Sequence, residues 1–317
     1  MPRTSRTAGF RAAATLAITG SLLITGIGGT ALAQADSLRS AGFGSLDFGS
    51  LGLGSSQQTP DAPRLEGIDN FRDVAGTGAG YEGSGYTGSL GQHLNKGVFY
   101  RANAFTPKGA DMAELVKLDL AKVYDLRTDG EIAKVPDVLP PGVDSEHISI
   151  LAHDVDITAM MATIRTPDEM RGAMQEMNRI FVTGAVERAG LKTLLTNMAE
   201  TDGPQVFHCT SGKDRTGWTA MLLLSIAGVD QSTIMDDYLL TNEYSVKSIA
   251  AATAYITATY GAGAAAIAAP ALGVEASFLQ AGLDQVKADY GTIDNYLTDG
   301  LGLSQDTITA LKAKLLG

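Results

Sequence analysis

The sequence predicts an α/β fold in which a mostly parallel central sheet is flanked by helices and followed by a helical C-terminal region. Three observations carry this expectation. Short apolar, strand-like runs alternate with helix-patterned stretches between residues 98 and 227, the pattern of strands joined by crossover helices. One run, Pro204–Phe207, leads through the loop HCTSGKDRTG (His208–Gly217) into an apolar helical stretch ending at Ala227. Beyond it the chain reads as helix after helix.

Taken in order, the chain opens with Arg3, Arg6 and Arg11 before an apolar segment, Ala12–Leu32, that ends in Ala31-Leu32-Ala33 and the overlapping Ala33-Gln34-Ala35. This has the form of a secretory signal over residues 1–35, cut after Ala33 or Ala35. Gly20, Gly26, Gly28 and Gly29 interrupt the segment and no charged stop-transfer patch follows, so no stable membrane anchor is expected after cleavage. The expected location is secreted, outside the cytoplasm. Residues 36–62 contain the Gly/Ser-rich quasi-repeat FGSLDFGSLGLGS (Phe43–Ser55) and read as a flexible linker, with a short adhesive repeat as the alternative.

The globular part occupies residues 63–317. A Gly-rich hairpin is expected over Thr77–Gly91, strands at Val98–Arg101, Lys122–Leu126 and His147–Ile150, and helices over Pro107–Leu118 and Pro167–Ala199, the latter broken near Gly184. Met160, Met161, Met170, Met174 and Met177 cluster there and fit a core more readily than a pocket wall. After the loop come helices at Asp230–Asn242, Ala276–Ala288, Ile293–Leu297 and Gln305–Leu316, with an Ala/Gly-dominated stretch, Ile249–Gly273, between them.

The His208–Gly217 loop is the chemical centre. A strand ending at His208 and a helix starting near Thr216 would aim consecutive N–H groups of Thr210, Ser211, Gly212 and Lys213, and a helix N-terminus, at a bound anion. Cys209 stands at the mouth of that pocket and Arg215 closes it, five residues later. A thiolate can attack phosphorus in line while a guanidinium fork grips two oxygens, and Lys213, Arg215 and the helix end favour the ionised sulfur. The competing readings are a phosphate nest without chemistry and a small buried cysteine. Asp214 stands where a nucleotide P-loop needs Ser or Thr, which excludes that site.

HCTSGKDRTG resembles the signature loop of the PtpB-like bacterial tyrosine and dual-specificity phosphatases, which also act on phosphoinositides. The resemblance extends to IDNFRDVAG (Ile68–Gly76), YDLRTDGE (Tyr124–Glu131), DDYLLTN (Asp236–Asn242) and YGTIDNYLTDGLGLS (Tyr290–Ser304). It implies a protein tyrosine phosphatase-like fold, with Asp73 supporting Lys213 or Arg215 and a helical pair near residues 243–273 serving as a lid. From the residues alone, Asp73 could equally tie down an N-terminal turn, and the helical pair could be ordinary surface helices.

Trp218 is the single tryptophan and lies behind the loop, so no Trp-Pro-Asp loop supplies the leaving-group proton. Asp214 is the favoured general acid, with Asp137, Asp154 and Asp156 as rivals. Lys213 and Arg215 are expected to favour its charged form. Thr216 can hydrogen-bond the sulfur, and His208 orients the loop indirectly. The lone cysteine excludes a disulfide framework and argues against an arsenate-reductase relay. His93, His147, His153 and His208 show no metal-ligand spacing, and no cofactor is expected. The net charge of −11, more negative once the signal arginines are removed, argues against nucleic acid and against sustained work on anionic lipid. The expected function is a secreted phosphatase for phosphotyrosine and small phosphoesters, acting through a phosphocysteine. The alternatives are a phosphoinositide phosphatase and a non-catalytic phospho-ligand binding protein.

Overall fold

The computed structural model describes residues 62–77, 84–154 and 163–317. The signal segment, all but the last residue of the linker, part of the Gly-rich hairpin candidate, and Asp156, Met160 and Met161 lie outside the described residues.

Among the described residues five strands form one sheet: β1 (Arg72–Asp73), β2 (Phe99–Ala102), β3 (Lys122–Asp125), β4 (Asp144–His147) and β5 (Gln205–His208), in the order β1-β2-β5-β3-β4. Only β1 runs antiparallel, against β2. Central β5 is parallel to both neighbours, pairing Ala102 with His208 on one side and Asp125 with His208 on the other. The functional loop therefore leaves the carboxyl end of the middle strand, where open parallel sheets place their ligands.

Alternate residues of the inner strands serve two cores, as the twofold side-chain period of a strand requires. Tyr100, Val123 and Val206 join Ile68, Phe71, Phe105 and Leu115 on one side, covered by α1 (Asp111–Lys117) and the N-terminal segment. Phe99, Tyr124 and Phe207 join the larger core on the other. That core is built from α3 (Pro167–Thr183), α4 (Ala185–Glu200), α5 (Arg215–Ile226), α6 (Gln231–Tyr244), α9 (Ala276–Tyr290) and α11 (Gln305–Leu316). Met170, Met174 and Met177 belong to it and are fully buried. Between α1 and α3 lies a six-residue helix, α2 (Asp129–Lys134), and a helical turn, α10 (Ile293–Asn295), runs into a π-turn before α11.

Most elements form where the sequence places them. Thr166 and Glu169 close a capping box at the start of α3, Gly184 ends that helix, and Asp230 caps α6. The third expected strand is displaced: β4 covers Asp144–His147 rather than His147–Ile150. Its side chains are mostly exposed, and Asp144 and Glu146 share Lys122. An edge strand held by backbone pairing and guarded by charge leaves no apolar run to read.

The Ala/Gly-rich stretch forms two helices, α7 (Val246–Tyr260) and α8 (Ala262–Leu272), meeting at Gly261 with φ +89°. Ile256, Ala265 and Ala268 pack into a small cluster of their own, separate from the two main cores.

Candidate active site

The loop after β5 is shaped by where its carbonyls go. Thr210 O accepts from Ala104 N at 3.2 Å, and Gly212 O accepts from Asn70 Nδ2 at 2.6 Å and Arg101 Nη2 at 3.0 Å. A trans peptide sets its N–H opposite its C=O, so the Ser211 and Lys213 N–H groups point away from these scaffold donors. That is the polarity of an anion nest. Gly212 makes the turn with φ +66°, and a Cβ there would lie 2.4 Å from Ala102 O, so this position requires glycine.

Cys209 is buried at the head of the loop, and Arg215 is the first residue of α5. The guanidinium ends of Arg215 are held by a residue that sequence reasoning did not single out. Arg215 Nη1 donates to Glu131 Oε2 at 2.6 Å and to Leu126 O at 3.1 Å, and Nη2 donates to Glu131 Oε1 at 2.7 Å. Thr210 Oγ1 donates to the same Oε1 at 2.6 Å. Arg215 Nε is buried without a hydrogen-bond partner. The expected grip by the guanidinium fork is therefore re-aimed: the Nη fork serves Glu131, and the edge carrying Nε is the one left for an oxyanion. Burial would lower the Arg215 pKa, but the Cys209 sulfur and Glu131 carboxylate reverse this and hold it above its ordinary value. Burial would likewise raise Glu131, and the Arg215 fork instead holds it well below the usual carboxylate range.

Asp214 is fully buried at the N-cap of α5, without capping it through its side chain. Its Oδ2 lies 3.6 Å from Lys213 Nζ, and its Oδ1 has no hydrogen-bond partner. Desolvation pushes its pKa up despite Lys213 and Arg215. The neighbouring cations had pointed to the charged form; burial is the stronger influence, and it suits a proton donor. Lys213 turns its ammonium to the end of α8, donating to Ala271 O and, at 3.1 Å, to Gly273 O. Asn242 holds the next residue, donating to Val274 O and accepting from Val274 N, each at 2.9 Å. The α7–α8 pair is thus tied to the catalytic loop at its C-terminal end.

The other candidate residues lie around this centre. Thr216 is buried in the first turn of α5, its hydroxyl without a partner. His208 Nδ1 approaches Cys209 O at 3.3 Å, and its Nε2 lies 3.2 Å from Asp137 Oδ2. Asp137 is bound to Arg127 Nη2 at 2.6 Å and to Phe105 N at 2.8 Å, a supporting position rather than that of a donor facing the pocket. Asp154 is exposed beside Gly130 at the start of α2. Asp73 accepts from Ala75 N at 2.9 Å and from Gly97 N at 2.6 Å, fixing the turn around β1. In its stretch it is Asn70 that reaches the loop.

Asp125, Asp137 and His208 bring potential metal-ligand atoms within 4.8 Å of one another. Arg127 Nη2 already bonds both carboxylates, at 2.7 and 2.6 Å. The guanidinium supplies the positive charge that such a donor set would seek.

Four residues outside the candidate set shape the site: Glu131, Asn70, Arg101 and Asp237. Glu131 had a legible signal, since Thr128 and Glu131 form a capping box at the start of α2. Asp237, in the DDYLLTN stretch, is the buried counter-ion of Arg72 and Arg101, at 3.2 and 3.0 Å.

Comparison with known proteins agrees with this geometry. The sequence model of the tyrosine phosphatase family matches residues 63–317. The chain is 32% identical over 266 residues to a Cupriavidus necator protein named as a tyrosine-protein phosphatase, covering 77% of this chain and 88% of that one. It is 29% identical over 291 residues to the triple specificity protein phosphatase PtpB of Mycobacterium tuberculosis, covering 80% and 98%. A tyrosine-protein phosphatase of Nostoc commune is 33% identical over 138 residues, 43% of this chain and 45% of that one. With the family match running from residue 63 to residue 317, this chain belongs to the tyrosine phosphatase family.

Proposed function

We propose that the protein hydrolyses phosphotyrosine and related phosphoesters, with dual specificity, through a phosphocysteine intermediate, and that it does so after export. One observation carries the chemistry: Arg215 is held end-on by Glu131 with its Nε edge unpaired, on the loop that also carries Cys209.

The Cys209 thiolate attacks phosphorus, an S–P bond forms, and the P–O bond to the leaving group breaks. The Nε edge of Arg215 and the loop N–H groups stabilise the charge on the non-bridging oxygens, which is strongest in the transition state. The departing oxygen takes the proton of Asp214. In the second half a water attacks the phosphocysteine and gives its proton to the Asp214 carboxylate. The S–P bond then breaks, releasing inorganic phosphate and restoring the thiolate. The Thr216 hydroxyl, buried without a partner in the first turn of α5, is the proposed donor to that leaving sulfur.

Phosphoinositides are the second substrate class, suggested by the likeness of the HCTSGKDRTG loop to phosphatases that also act on them. Lys213, which a second phosphate would need, is engaged by Ala271 and Gly273, and this favours singly phosphorylated substrates. Export rests on the N-terminal signal-like sequence. The deciding experiment measures phosphate release from phosphotyrosine peptide, phosphoserine peptide and phosphoinositide headgroups by the full chain and by Cys209→Ser. Turnover highest on phosphotyrosine and lost in the variant is expected. Binding without turnover would leave a phospho-ligand binding protein.

A further inference from the structure

The buried groups beneath the loop include some that the proposed chemistry does not use. Gly212 O, facing away from the pocket, is met by two donors, Asn70 Nδ2 and Arg101 Nη2. Each is itself fixed. Asn70 Oδ1 accepts from Arg72 Nη1, and Asn70 adopts φ +60°, a left-handed conformation that asparagine tolerates better than most residues. Arg72 and Arg101 converge on Asp237: Arg72 Nε and Arg101 Nη1 reach its two carboxylate oxygens, and Tyr86 OH adds a bond at 3.3 Å. All five side chains are buried.

Glycine at 212 widens the range open to its following peptide, because no Cβ restricts ψ at that residue. Rotation by half a turn would swing Gly212 O toward the pocket and remove the Lys213 N–H from it. A carbonyl facing a phosphoryl group would repel the charge the site exists to hold.

We propose that Asn70 and Arg101, held in place by Arg72 and Asp237, are positioning residues that fix the Gly212–Lys213 peptide with its N–H toward the oxyanion. The proposal rests on the phosphatase reading only for the identity of that oxyanion. It gives Asn70 and Arg101 a part in substrate affinity although neither touches substrate, and it links the IDNFRDVAG and DDYLLTN stretches to the loop through one carboxylate.

The test uses the full chain with tungstate, a tetrahedral oxyanion that binds without turnover. Affinity is measured by calorimetry beside thermal melting and Trp218 fluorescence. Asn70→Ala removes one donor to Gly212 O, and the folded variant is expected to bind tungstate at least about fivefold more weakly, with kcat/KM on para-nitrophenyl phosphate falling by a similar factor. Asn70→Asp keeps the acceptor for Arg72 but faces the carbonyl with an acceptor, so a larger loss is expected; it decides the matter if the alanine variant does not fold. A merely structural role would lower the melting temperature or the folded fraction and leave the tungstate affinity of the folded protein unchanged. That result would overturn the proposal, as would failure of both variants to fold, since Asn70 would then be part of the scaffold. A wild-type chain that binds tungstate in an Asn70-dependent way but releases no phosphate would uphold the positioning role and remove the phosphatase reading.

Discussion

Glu131 grips both terminal nitrogens of Arg215, at 2.6 and 2.7 Å, and so decides which edge of the guanidinium faces a substrate. The pair is buried, a setting in which removing one partner strands the other's charge. Glu131→Gln is expected to destabilise the fold by about 3 kcal/mol and to reduce kcat/KM on an aryl phosphate by about a hundredfold, since the transition-state charge loses a fixed donor. Urea unfolding and steady-state kinetics measure the two effects.

The same pair sets an acid dependence. Glu131 is held below its ordinary range in the fold, so its contribution is complete above the unfolded glutamate value and is lost as pH falls through the depressed folded value. The stability gap between the wild type and Glu131→Gln should therefore be constant near neutrality and narrow below about pH 4. A gap that widened on acidification would contradict this.

Asp214 behaves in the opposite sense. Desolvation raises its pKa, so its ionised form opposes folding, and the associated stability is present below the ordinary aspartate range and lost as pH rises through the folded value. Asp214→Asn should be more stable than the wild type by about 1 kcal/mol at neutral pH. It should also slow alkyl phosphates far more than activated aryl esters, because only a poor leaving group needs the proton. Equal slowing of both would assign Asp214 a role in loop structure alone.

Lys213 connects the loop to the α7–α8 pair through Ala271 O and Gly273 O, while Ile256, Ala265 and Ala268 form the pair's own cluster, with Ala264 and Leu272 packed against it, and Ala271 joins the larger core. Lys213→Met removes charge-assisted bonds to helix-terminal carbonyls, which are worth about 2 kcal/mol. Hydrogen–deuterium exchange over residues 246–273 should accelerate while α5 stays protected. Unchanged exchange would show that packing alone holds the pair.

The candidate site of this chain was legible in sequence where residue type and local spacing determine it. Cys209, Gly212, Asp214 and Arg215 fall within seven consecutive positions whose geometry follows from one strand end and one helix start. Glu131 was less legible, since it sits in a six-residue helix and meets Arg215 only because β3 lies beside β5. In the Ile68–Gly76 stretch the motif pointed to the loop but not to the residue: Asp73 holds Ala75 and Gly97, while Asn70, three positions earlier, turns to Gly212. Nor could sequence show that burial outweighs Lys213 and Arg215 at Asp214, because desolvation depends on everything packed around a group.

A covalent bond between the Cys209 sulfur and phosphorus is the step on which the proposed turnover depends. Full-length protein mixed briefly with radiolabelled aryl phosphate and quenched should carry label on Cys209 alone, with none on Cys209→Ser. Label on another residue, or phosphate release at the wild-type rate from Cys209→Ser, would contradict it.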